Sequence, residues 1–149
     1  MLDRNTVVNA VGDLRVIVAG SIELDARVVF LHPCLNFAVI SVDTSVLATP
    51  LRSMKLSDVR PSAGEERIFV GTSSDGEMLQ HRVTITRPLE TVQIWDAHPP
   101  RFRAYNEECI SVDRVVDCSG GVYVNEQGEA CAMLCSYSNS NSKSEPADE

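Results

Sequence analysis

The sequence predicts an all-β fold on three observations. Apolar residues recur with period two, short apolar runs lie between clusters of turn residues, and helical periodicity is hardly visible. Ile22, Leu24, Ala26, Val28 and Phe30 alternate with Glu23, Asp25 and Arg27, as a strand with one buried and one wet face requires. Leu14, Val16 and Val18 repeat the pattern just before it, across a turn at Ala19-Gly20-Ser21. Leu79, His81, Val83 and Ile85 alternate with Gln80, Arg82, Thr84 and Thr86, and Val92-Gln93-Ile94-Trp95 is a further β-rich run. Phe37-Ala38-Val39-Ile40 and Ile68-Phe69-Val70 are continuous apolar runs, the form of strands covered on both faces. Turn-forming stretches at Ser73-Ser74-Asp75-Gly76, His98-Pro99-Pro100 and Asn125-Glu126-Gln127-Gly128 punctuate them. Many short strands separated in this way imply a barrel or sandwich rather than a βαβ fold.

With 149 residues, 44% of them apolar, the chain can form one compact core or two small barrels packed together. The stretch 43–66 is less apolar, contains Pro50 and Pro61, and reads as a connector between a front half, about 1–42, and a back half, about 67–137. Residues 138–149, rich in serine and without apolar periodicity, are expected to form a disordered tail. The formal charge of −8, from 21 acidic and 13 basic residues, lacks the basic footprint that nucleic acid or an anionic membrane requires, so neither is expected as a partner. No stretch approaches the length of a spanning helix, and the N-terminus lacks the basic-then-apolar layout of a signal peptide. A soluble, intracellular protein is expected.

Cys34, Cys109, Cys118, Cys131 and Cys135 lack the C-x-x-C spacing of a zinc ribbon or redox pair and read as free thiols. Cys131 and Cys135 are expected on one face of a strand, with His32 two residues before Cys34. Histidines and cysteines on apolar strands are usually core, so neither a metal nor a cofactor is expected.

Asp117-Cys118-Ser119-Gly120-Gly121 leads straight into Val122-Tyr123-Val124 and then a polar turn. A serine on a tight turn, backbone N–H groups around it to hold an oxyanion, and small residues after it to admit a substrate backbone are what a chymotrypsin-type peptidase needs. Ser-Gly-Gly also occurs in ordinary β-turns, so the neighbouring blocks decide. His32-Pro33-Cys34-Leu35-Asn36-Phe37-Ala38-Val39-Ile40 resembles the HtrA (Deg) segment in which the orienting aspartate precedes an apolar strand. Residues 117–129 resemble that family's nucleophile loop, strand and Asn-x-x-Gly-Glu hairpin. Ile68-Phe69-Val70-Gly71 and Arg101-Phe102-Arg103-Ala104 are similar to its strands after the connector and before the nucleophile loop. Val28-Val29-Phe30-Leu31-His32-Pro33 and Pro100-Arg101-Phe102-Arg103-Ala104 resemble, more narrowly, the degenerate second peptidase domain of the large tandem HtrA-like proteases of fungi and plants. The resemblance runs from about Asp3 to Tyr137 and implies a chymotrypsin/trypsin-like double β-barrel, with the N-terminal barrel incomplete in this chain.

The catalytic set implied by the resemblance is damaged. Leu2-Asp3-Arg4-Asn5-Thr6-Val7-Val8 is similar to the family's histidine loop and puts Thr6 at the base position, where a hydroxyl cannot take a proton near neutral pH. Asn36 falls at the aspartate position, where an amide cannot stabilise an imidazolium. Asp117 replaces the glycine two before the nucleophile, opposing a developing oxyanion. Only Ser119 matches. The expectation is a pseudoprotease serving protein–protein interaction or assembly. Its expected partners are proteins or peptides, sister domains of the same polypeptide, or further copies of itself through an unpaired edge near Leu14–Val18. An active serine endopeptidase using Ser119 and an unrelated all-β interaction module are the alternatives.

Overall fold

The computed structural model describes residues 1–7, 12–33, 35–92, 107–114, 116 and 118–135. All eight strands among them lie in two antiparallel sheets. The front sheet has the order β1 (Leu14–Val18), β2 (Ile22–Leu31), β3 (Ala38–Val42). The β1–β2 turn carries both Ala19 (φ 51°) and Gly20 (φ 71°) in the left-handed region. Paired positive φ angles match the right-handed strand twist, and the Ser21 N–H closes the turn on the Val18 carbonyl at 3.2 Å. The alternation holds through Leu24, 3% exposed, and breaks at a register shift between Val28 and Phe30. That bulge turns Phe30 outward, where it meets His32 and Phe37 at ring separations of 5.8 and 6.1 Å.

The back sheet runs β6 (Glu107–Val112), β5 (Met78–Val92), β4 (Glu66–Thr72), β7 (Gly120–Val124), β8 (Ala130–Met133), and the antiparallel sheets include a curled half-barrel. These antiparallel sheets are consistent with a trypsin-like barrel, and the pairings among the described residues do not by themselves show the double barrel expected from the resemblance. Phe69, Val83 and Ile85, all on β4 and β5, are the largest fully buried side chains among the described residues. Phe69 lies over the register pair Gly71–Gly121 and tilts against Tyr123, ring centroids 5.1 Å apart. A Cβ at Gly71 would stand 2.5 Å from Phe69 Cζ, and one at Gly121 would also press on that ring, 2.6 Å from Val70 O. Both positions therefore exclude side chains so that the ring can lie flat on the sheet.

The connector is mostly exposed, as its composition implies, yet it is anchored near its end, where the Gly64 N–H reaches Ile85 O at 2.8 Å and the Ile85 N–H reaches Glu65 O at 2.9 Å, and again in its middle. Leu56 bridges Ala130 in parallel, Ser57 N–H reaching Ala130 O at 2.8 Å and Ala130 N–H reaching Lys55 O at 2.9 Å. The ion pair of Lys55 with Glu129 joins the same two segments. Gln93–Trp95, Arg101–Ala104 and the tail 138–149 lie outside the described residues, as do His98, Cys34 and Asp117.

Candidate functional site

Residues from both halves of the chain line one cavity of about 750 Å³: Leu2 and Thr6 in front, Met54 and Leu56 on the connector, and Ser119 with Met133 behind. Ser119 is exposed at its mouth, on the turn that enters β7. The turn is held by β4, because the Ser119 N–H donates to the Thr72 carbonyl at 2.8 Å. Thr72 is itself fixed by the β4–β5 hairpin, where the Ser73 N–H reaches Glu77 O and the Glu77 N–H reaches Ser73 Oγ. The adjacent glycines divide the work of the motif. A Cβ at Gly120 would meet nothing within 4 Å, leaving open space beside Ser119, while Gly121 is occupied by its contact with Phe69.

Thr6 ends a single 3-10 turn, Arg4–Thr6, whose backbone closes through Thr6 N–H to Asp3 O and Val7 N–H to Arg4 O. Val7, 4% exposed, pins it to the core. Asn36 is buried, and its Oδ1 accepts the Arg4 N–H at 3.0 Å. The Arg4 guanidinium also donates to His32 O at 2.6 Å. The loop before β3 thus supports the turn that carries Thr6. Fold and packing bring Thr6 and Ser119 to one cavity, and set Asn36 behind the turn carrying Thr6.

Cys135 follows the end of β8 rather than sharing a strand face with Cys131, a correction to the sequence reading. The strand stops at Met133, and the Cys135 thiol turns to donate to Asn36 O at 3.3 Å, while Cys131 donates to Tyr123 O at 3.2 Å. Burial, and then the Cys118 thiol beside it, push the Tyr123 hydroxyl above its ordinary range. Among the described residues no cluster of three or more His, Cys, Asp or Glu side chains is arranged to hold a metal. His32 caps its own corner, Nδ1 accepting the Leu35 N–H at 2.7 Å, and His81 lies exposed on β5 opposite Phe69. Sequence reasoning placed a strand through Cys131 but carried it on to Cys135, and it missed the connector bridge, the Thr72 contact and the Cys135–Asn36 contact. Ala130-Cys131-Ala132-Met133 has no polar alternation that would have marked where the strand ends.

No family model matches the chain, and no solved structure does. Curated sequences do, and with the two sheets and the Ser-Gly-Gly cavity they define an all-β homologue of HtrA-like serine proteases. The relatives in question are fungal Nma111 proteins, to which this chain is distantly homologous. It is 38% identical over 128 residues to the pro-apoptotic serine protease nma111 of Aspergillus clavatus, covering 84% of this chain and 12% of that protein. The Aspergillus oryzae protein of the same name is 36% identical over the same length. A PDZ domain-containing protein of Schizosaccharomyces pombe is 35% identical over 137 residues, 90% of this chain and 14% of that one. The chain spans only about an eighth of the length of these relatives.

Proposed function

We propose that this chain is a catalytically inactive HtrA-like protease domain, closest to a degenerate second domain, which retains the peptidase cavity for protein binding or assembly. The observation that carries the reading is the Ser119 N–H, held at 2.8 Å by the Thr72 carbonyl. In a working acyl-transfer site the nucleophile's own N–H and that of the residue two before it point at the developing oxyanion. Here the first is engaged in the sheet. Thr6, with no imidazole, takes the base position, Asn36 the aspartate position, and Asp117 the position of the second oxyanion donor. Removing triad members and oxyanion donors together removes nearly all of the rate enhancement, because these groups act as a unit.

A fluorophosphonate probe tests this directly. No covalent labelling of the protein is expected above that of Ser119→Ala, nor any hydrolysis of casein. Labelling or turnover that disappears in Ser119→Ala would overturn the proposal and leave an active serine endopeptidase.

A further inference from the structure

The connector borders two cavities at once. Met54, Leu56 and Ser57 line the cavity at Ser119, while Ser57 and the residues after it, through Pro61, line a second cavity of about 170 Å³. The opposite wall of that second cavity is Pro88 and Leu89 on β5 and Ile110 on β6. Ser57 and Cys131 belong to both linings, so the connector, where it runs beside β8, is the partition between the two spaces.

The partition is lightly attached. One parallel bridge holds it, with the Ser57 N–H on Ala130 O at 2.8 Å and the Ala130 N–H on Lys55 O at 2.9 Å. The Lys55–Glu129 ion pair lies beside that bridge, its lysine largely in water, where screening leaves such a pair little strength. Apolar burial adds little, because Met54, Leu56 and Val59 each keep more than half of their surface exposed. Beyond this stretch the attachment is firmer: Pro61 is buried, and Gly64 and Glu65 hydrogen-bond the Ile85 main chain. Few buried contacts and solvent-exposed main-chain bonds place a segment at the low end of local stability.

We infer that residues 54–60 form a displaceable strap hinged at Pro61. Breaking the bridge at Ala130 lifts Ser57 away from Cys131 and joins the two cavities into one groove along β8. The closed strap keeps the space beside Ser119 short, and the open strap lengthens it. The device acts on the cavity wall, so it holds whether or not Ser119 is catalytically active.

Alkylation of the thiols in the whole chain, read peptide by peptide by mass spectrometry, tests the strap. Cys131 reports on the shared wall, and Cys135, whose thiol donates to Asn36 O, is the reference. Ser57→Pro removes the N–H that reaches Ala130 and should raise the rate of N-ethylmaleimide modification at Cys131 roughly three- to tenfold, through a larger open population. Lys55→Gln, at an exposed side chain, should raise it in the same direction by about twofold. A maleimide carrying a polyethylene glycol chain should gain more than the small reagent, because only the joined groove admits it. Cys135 should keep its rate throughout, and circular dichroism checks that each variant is folded. An unchanged Cys131 rate in both variants would overturn the strap, since the partition would then be fixed. An equal rise at Cys135 would overturn it as well, by showing that the whole fold loosens, and so would a gain confined to the small reagent, by showing that the cavities stay separate.

Discussion

The two sheets support their halves of the site by different physics. Behind, Ser119 stands on a turn whose floor is the ring of Phe69, fully buried over Gly71 and Gly121, and whose amide is tied to Thr72. In front, Thr6 stands on one 3-10 turn held by the Asn36 side chain and by Val7. The back half is therefore sensitive to volume, the front half to a single buried polar contact.

Substitutions sharpen this contrast, beginning with the back sheet. Phe69→Ala is expected to cost about 3–5 kcal/mol in urea unfolding, the usual loss for a buried aromatic. Gly121→Ala should cost about 1–3 kcal/mol by overpacking, whereas Gly120→Ala stays within about 0.5 kcal/mol. Combining Gly121→Ala with Phe69→Ala should recover only part of the clash, because Val70 O remains 2.6 Å from the new Cβ. Equal effects at the two glycines would mean that the ring does not lie on Gly121.

In the front sheet, Asn36→Ala leaves the Arg4 N–H without its acceptor, at an expected cost of about 1–3 kcal/mol. Hydrogen exchange should locate the loosening at Arg4 to Val7 and leave β4 and β7 protected. Faster exchange in the back sheet would show that the halves are not separately supported.

A pH titration probes the join between them. The Lys55 ammonium first, and then the Asn125 amide, hold the Glu129 carboxyl below its ordinary range. A group depressed on folding contributes stability that is present above its unfolded pKa and lost as pH falls through its folded value. Acidification through and below the normal carboxylate range should therefore release the connector from β8, seen as exchange at Ser57 and Ala130. Glu129→Gln should flatten that part of the stability profile. The smallest effect expected is that of Ser119→Ala, within about 0.5 kcal/mol, since the hydroxyl is exposed and the anchoring amide is retained.

The sequence by itself determined the β class, the strands around Leu14–Val18, Ile22–Phe30 and Leu79–Ile85, and the turn that carries Ser119 into the following strand. Period-two alternation and turn chemistry are local, and β1, β2 and β5 lie where those patterns run. The motif block around Ser119 was equally legible, because Ser-Gly-Gly, strand and Asn-x-x-Gly-Glu are contiguous. Only the tertiary structure decided that Gly121 serves Phe69 rather than a substrate, that the Ser119 amide belongs to Thr72, and that Cys135 leaves the strand for Asn36. Each of these contacts joins residues distant in sequence, and their choice depends on sheet register and ring volume. No single segment of the sequence encodes either quantity.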